Sequence, residues 1–491
     1  MNATRRSALA LLLVLAPAAA RAQAIPDHPD KLTFKPLAFE PPRARDHRVV
    51  LKNGMVVYIA EDRALPLVNI GLTVRVGRYL EPAGKEGLAG LTGMQIRRGG
   101  TRRLAAEAMD ERLEFLAAQA SSGISDTSGG AGLNCLKDNL DEALGLFVEM
   151  LKEPRFQEDR LALAKEQALQ DMKKRNDDAE NIEGREWGAL VYGEGHFTNR
   201  FTTEASIRSI TRDDLVAFHR KWYHPANMVA AVSGSFTRAE MIQKLEKAFA
   251  AWPTPVPQVP PVPATIAPAA AGLYRLQKDV NQGRVSMGLP TVKQDSPDIY
   301  ALEVMNEILG GSGFGSRITR TVRSNEGLAY SAGSGIGFGV YYPGRFRAGF
   351  QSKSRSVAYA TELVLGEIRK MRETPVTAQE LDVVKSNLIT TFPSSFGSVA
   401  QSMSVFASDE VTHRDPTFWV TYRDRIRAVT AAEVQRVARE YLVPEKLILI
   451  VVGDQKEIDK GDGTHDAVLA KLAPGGKDVT LPLRNPMTMK R

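Results

Sequence analysis

One cysteine, Cys135, stands in 491 residues. An internal disulfide is therefore excluded, and the apolar setting AGLNCL suits a small buried hydrophobe better than a nucleophile. The seven histidines are His28, His47, His196, His219, His224, His413 and His465, and none forms the i, i+4 pair that puts two metal ligands on one helical face. His219 and His224 are five apart and Pro225 ends that helix, which reads as a helix end with packing or capping histidines. No G-x-S-x-G elbow is present. GGKD near Gly476 lacks the rest of a phosphate loop, and LGGSGFGSR lacks the strand context of a dinucleotide site. The net charge is +7, yet it comes from scattered pairs such as Arg97-Arg98, so no nucleic-acid partner is expected. Beyond the N-terminus no apolar run approaches membrane-spanning length, and no stable membrane insertion is expected.

What is present begins with MNATRRSALALLLVLAPAAARAQA. Arg5 and Arg6 precede a short apolar core and an A-x-A-like site at Ala20–Ala22, the pattern of an export signal. The start fits a Sec or a twin-arginine signal equally. Residues 1–22 are expected to be a cleaved signal peptide, 23–44 an N-terminal extension, and the mature chain periplasmic. Hydrophobic residues make up 43% and charged residues 25%, an ordinary globular composition.

Trp252 to Gly272 carries seven prolines, an extended spacer between two stretches of similar length. Those stretches resemble each other. IRSITRDDLVAFHRKWYHPANMVAAVSG (Ile207–Gly234) and IRAVTAAEVQRVAREYLVPEKLILIVVG (Ile426–Gly453) align without a gap, each reading as a threonine N-cap, an amphipathic helix, a proline stop and an apolar strand. LVNIGLTV and RVSMGLPT also correspond. An internal duplication is the simplest cause. The expected organisation is domains at 45–251 and 273–475, a linker at 252–272 and a tail at 476–491.

VVLKNGMVVYIA is a hairpin signal around Asn53-Gly54, LVNIGLTVRVG the next strand, and SSGISDTSGGAGLNCL a further strand. Helical patterns fall near 86–98, 103–119, 138–152 and 156–177, then near 296–310, 354–373, 377–391 and 430–440. Strands and helices do not alternate strictly. The fold class is α+β, two homologous domains, each a mostly antiparallel sheet packed with helices.

KEGLAGLTGM has the rhythm of a helix but carries Gly87, Gly90 and Gly93, each of which costs a helix interior roughly 1 kcal/mol relative to alanine. Further on, SRITRTVRSNEGLAYS places Arg323 at a helix end and Tyr330 early on a strand. Read alone, the pair is either an arginine on a helix dipole with a half-buried tyrosine, or a guanidinium and a phenol brought to one surface.

LKNGMVVYIAED, VGRYLEPAGKEGLAGLTGM, FHRKWYHPANMVAAVSG and SRITRTVRSNEGLAYS together, in this order, resemble the insulinase/pitrilysin family of zinc metallopeptidases, in its two-domain branch with the mitochondrial processing peptidase and the respiratory core proteins. The resemblance implies a clamshell. It also implies an inverted zinc motif, H-x-x-E-H, whose positions fall here on Gly90, Gly93 and Met94. The third ligand falls near Asp171, which with Glu166 reads as a solvated helix charge. No metal is expected on this chain. The family's R-x6-Y pair matches Arg323 and Tyr330, which by resemblance hold a substrate carbonyl and stabilise the oxyanion. The implied function is a zinc-less subunit pairing with a homologous H-x-x-E-H subunit that brings zinc, both acting on unfolded peptide along an exposed strand edge. Two alternatives stay open: a non-catalytic structural or peptide-binding subunit, and a homodimer with metal-independent activity.

Overall fold

Threonine opens the same helix twice. Thr211 precedes the Arg212–Trp222 helix and Thr430 the Ala431–Tyr441 helix, each in a reciprocal capping box with Asp214 or Glu433. Such a box satisfies two N–H groups that a helix start leaves unpaired. Pro225 and Pro444 then open single 3-10 turns that lead into fully buried strands.

The computed structural model describes residues 27–28, 31–32, 38–250, 252 and 258–491. The expected signal peptide lies outside them, as do half of the N-terminal extension and part of the proline-rich linker. Met1–Phe39 clusters as its own unit, and Glu40–Arg491 forms the second.

The strands of the second unit are β1 (Arg48–Val50), β2 (Val56–Glu61), β3 (Leu67–Val74), β4 (Gln119–Ile124), β5 (Gly129–Leu136), β6 (Met228–Gly234), β7 (Gly272–Gln277), β8 (Gln282–Pro290), β9 (Ala332–Ile336), β10 (Arg345–Lys353), β11 (Ile448–Gly453) and β12 (Asp478–Thr480). They form two six-stranded sheets, ordered β1-β2-β6-β3-β5-β4 and β12-β7-β11-β8-β10-β9. The repeated strand holds the same place in each. β6 runs parallel to β2 and antiparallel to β3, and β11 runs parallel to β7 and antiparallel to β8. LVNIGLTV is β3 and RVSMGLPT falls in β8, so their likeness reflects equivalent sheet positions. The fold is α+β with largely antiparallel sheets, as expected.

One expectation fails locally. SSGISDTSGGAGLNCL is two strands, β4 and β5, folded back through a turn in which the Ser125 N–H donates to the Ser128 carbonyl at 2.8 Å. Asp126-Thr127-Ser128 supplies side chains that compete for local backbone groups, which favours the turn. Cys135 on β5 is fully buried opposite Val68, and burial pushes its thiol up to about 11.

Four helices position the site: α1 (Leu88–Arg98), α2 (Glu158–Lys173), α3 (Ala179–Tyr192) and α4 (Val399–Thr412). The last two cross between halves. α3 packs Ile182, Trp187, Leu190 and Val191 onto Tyr274, Leu276, Ile448, Ile450 and Val452 of the second sheet. α4 returns the exchange on the first sheet, where Phe406 lies 5.9 Å from His47 and 5.8 Å from Tyr58, ring to ring. Each crossing helix carries an anchoring glutamate. Glu183, 1% exposed, accepts from Arg347 at 2.5 Å and Arg284 at 3.3 Å, and also from Ser286. Glu410 accepts from Arg48 at 2.9 Å and from the Tyr58 hydroxyl at 2.7 Å. A buried carboxylate is tolerable only when paired in this way. The described part of the linker is docked rather than free: the Ala267 and Ala269 N–H groups donate to the carbonyls of Tyr192 and Leu190 at 3.0 and 2.8 Å.

Candidate functional site

The glycines of α1 have three separate causes. Gly87 caps the helix at φ +106, a left-handed conformation, and a Cβ there would lie 2.8 Å from Ile207 Cδ1. The buried Glu81 carboxylate accepts the N–H groups of Gly87 and Ala89 at 3.1 and 2.8 Å. Burial raises its pKa, opposed by those bonds and by Arg78. Gly90 faces open space, with nothing within 4 Å of a Cβ. Gly93 presses on β4, where a Cβ would stand 2.4 Å from the Ile124 nitrogen and 2.7 Å from the Gly123 carbonyl carbon. Gly90→Ala should therefore stabilise the chain by up to about 1 kcal/mol. Gly93→Ala should cost about 1–3 kcal/mol by overpacking against backbone. Urea midpoints of the two variants check both signs.

Gly90, Met94 and Asp171 line one cavity of about 590 Å³, together with Arg78, Lys174, Arg175 and Arg185. Gly93 is not among its lining residues, since it faces β4. A divalent cation does not fit this donor set. One carboxylate, on an exposed Asp171, stands among four cationic side chains, and a side chain at position 93 meets the β4 backbone. Among the described residues, no three or more His, Cys, Asp or Glu side chains converge as a metal group. Glu166, like Asp171, is exposed on α2.

A second hollow, about 750 Å³, runs along β4 and is lined by residues 120–124 with Arg97, Arg98, Asp110 and Arg160. Gly90 and Met94 line both hollows, so the two adjoin across α1. β4 is the outermost strand of its sheet. Arg97 Nε donates to the Ala120 carbonyl at 3.0 Å, taking one edge acceptor.

Arg323 and Tyr330 are brought together elsewhere. Arg323 lies in a π-helical segment, Thr319–Asn325, and a second one, Glu307–Gly311, precedes the Gly313–Gly315 turn. π-Helical turns are uncommon and recur at functional sites. Gly327, at φ +63, turns the chain back toward β9, and Tyr330 precedes that strand by two residues. The Arg323 guanidinium carbon sits 4.6 Å from the Tyr330 ring centroid and 4.4 Å from that of Phe314, a cation between two aromatic faces. Tyr330 is 84% exposed and Phe314 67%, so the stack stands at the surface. The pair lines neither hollow beside α1.

His219 is a packing histidine. It is 5% exposed and its Nε2 lies 2.7 Å from the Leu151 carbonyl. Burial pulls its pKa down to about 4 against the carbonyl's opposing pull. The unfolded chain takes up that proton near pH 6.5 while the native state refuses it. This group's contribution is thus intact above about pH 6.5 and falls by about 1.4 kcal/mol per pH unit down to about pH 4. His219→Gln should flatten the acid limb of stability over that window, read from urea midpoints between neutral and acid pH.

The basic residues around Gly90 escaped the sequence reading. Lys174 and Arg175 are neighbours in sequence, but their convergence with Arg78 and Arg185 needs the α2–α3 turn.

Two helix-flanked sheets of equivalent order, with no converging metal group among the described residues, define an α+β two-domain architecture. Residues 56–189 match the family model described as insulinase (peptidase family M16), and residues 209–388 match that of the peptidase M16 inactive domain. The chain belongs to the insulinase, or M16, peptidase family. It is 25% identical over 417 residues to the non-peptidase homolog YmxG of Helicobacter pylori, covering 84% of this chain and 95% of that protein. It is 22% identical over 462 residues to the probable mitochondrial-processing peptidase subunit beta of Arabidopsis thaliana, covering 88% and 84% of the two chains. The crystal structure of a peptidase M16 inactive domain from Pseudomonas fluorescens shares the fold, with a TM-score of 0.74 at 24% identity over 83% of this chain and 97% of that one.

Proposed function

We propose that this chain is the zinc-less subunit of an exported, periplasmic heterodimeric metallopeptidase acting on unfolded peptides. A homologous subunit with H-x-x-E-H brings the zinc, which activates the attacking water. This chain contributes Arg323 and Tyr330, which hold the scissile carbonyl and stabilise its developing charge. The observation that carries the reading is the Phe314–Arg323–Tyr330 stack, exposed at the surface of a chain with no metal-binding side chain at Gly90 or Met94 and with Gly93 pressed on β4. Contact with the two rings leaves guanidinium N–H groups as donors. The free edge of β4 suits an extended peptide, which adds as a further strand through backbone hydrogen bonds. Periplasmic location rests on the N-terminal sequence pattern. No helix among the described residues is long and apolar enough to cross a membrane.

The test is co-expression with an H-x-x-E-H homologue from the same genome. Peptidase activity should require both chains and disappear with a chelator. A second reading, a peptide-binding or structural subunit without catalytic duty, draws on the likeness to a protein named a non-peptidase homolog. It predicts a complex that binds peptide and hydrolyses nothing.

A further inference from the structure

We infer that the cavity beside α1 is a carboxylate subsite for the peptide carried on β4: an anion pocket at the position where the family's zinc motif falls. The inference rests on the peptide-binding part of the proposed function and adds the chemistry of the residue bound there.

The cavity's charges are unevenly answered. Arg78 is paired with Asp126 at 3.0 Å. Arg185 has a buried Nε without a hydrogen bond, 3.5 Å from Glu186. That carboxylate already accepts from Arg484 at 3.0 Å and Arg491 at 2.5 Å. Arg175 meets only neutral oxygens: the carbonyls of Thr202 and Pro486 at 2.8 and 3.0 Å, and the Thr202 hydroxyl at 2.5 Å. Those bonds occupy three of the five N–H donors that a guanidinium carries. Lys174 is exposed and pairs with no carboxylate among the described residues. Against this excess the lining offers one carboxylate, Asp171. Burial, and after it the neighbouring Arg185, lower the Arg175 pKa, the mark of a cation lacking a counter-charge.

A guanidinium with spare in-plane donors fits a carboxylate, and the charge-assisted bond is stronger than a neutral one. Access comes from Gly90. It lines both hollows and has nothing within 4 Å of a Cβ, so a chain laid along β4 passes it on the way into the basic cavity. The carboxylate is supplied by the peptide's C-terminus or by an acidic side chain.

The test uses the full chain and one labelled unstructured peptide in three forms: free C-terminal acid, C-terminal amide, and amide with a single glutamate. Binding is followed by fluorescence anisotropy at low salt. At least one carboxylate form should bind about tenfold tighter than the plain amide. A preference for the free acid identifies the terminus as the source, and a preference for the glutamate form identifies the side chain. Lys174→Glu, at an exposed position, should abolish the preference and leave the amide's affinity unchanged. Gly90→Leu should also remove the preference by closing the passage, and because Gly90 lines the β4 hollow too, the affinity of the plain amide should fall with it. Equal binding of all three forms overturns the subsite while the β4 groove stands. Failure of every form to bind overturns both.

Discussion

Arg323→Ala in the assembled two-chain enzyme should lower kcat by about 10²–10³-fold, the loss expected when one preorganised oxyanion donor is removed. Tyr330→Phe should fall in the same range, because the phenol O–H is the second donor. Neither variant should unfold the chain. Tyr330 is 84% exposed, and the guanidinium–ring contacts at 4.4 and 4.6 Å are surface contacts. Cation–π pairs at exposed sites contribute only about 0.5–1 kcal/mol. The double variant should cost much less than the product of the single losses, as donors serving one oxyanion act as a unit. Phe314→Ala provides the control. It removes one face of the stack without removing a donor, so it should affect kcat far less than Arg323→Ala. Single-turnover kinetics on the purified complex, with complex formation followed by size-exclusion chromatography, supplies the readout. An Arg323→Ala complex that assembles and turns over within twofold of the parent would remove the catalytic role and leave the peptide-binding reading in its place.

The pair was legible in sequence because it is local. Six residues separate Arg323 from Tyr330, and a turn at Gly327 closes that separation. The duplicated cap–helix–strand unit was equally legible, since Thr211 and Thr430 act within three residues of themselves. The vacancy at Gly90, Gly93 and Met94 could be seen as missing side chains. Its physical cause at Gly93 could not, because the atoms that fill the space are the backbone of residues 123 and 124, which no side-chain pattern announces. The crossing helices were hidden for a related reason. α3 and α4 are apolar on one side like any helix, and periodicity does not say which sheet receives that side. The basic cavity escaped because Arg78, Arg175 and Arg185 come from separate elements, and only their packing makes one wall of them.

Glu186→Gln should destabilise the chain by about 3–5 kcal/mol, the cost of stripping one partner from a buried charge network. Glu186 is fully buried on α3, with Arg484 at 3.0 Å, Arg491 at 2.5 Å and Arg185 at 3.5 Å. Glutamine keeps the shape and removes the charge. Of the carboxylates, two arginines of the tail then retain Glu194, which meets both, beside the Met489 and Pro482 carbonyls. The tail is held to the first half by more than charge: the Arg484 carbonyl accepts from Asn176 at 2.8 Å, and the Met487 carbonyl from the Glu204 N–H at 2.9 Å. β12, at the start of residues 476–491, pairs in parallel with β7 of the second sheet. The tail therefore bridges the halves, and Glu186 is where its charge is neutralised. Urea unfolding of Glu186→Gln should show the midpoint fall with the slope kept, if the loss is one of stability alone. A deficit under about 1 kcal/mol would show that Glu194 and the backbone bonds suffice. The same variant bears on the basic cavity. With Glu186 neutral, Arg185 has still less to answer its charge, so a carboxylate peptide should bind the folded fraction at least as tightly as it binds the parent. Stability and ligand affinity should thus move in opposite directions, which separates a clasp that shares its carboxylate with the cavity from one that serves the tail alone.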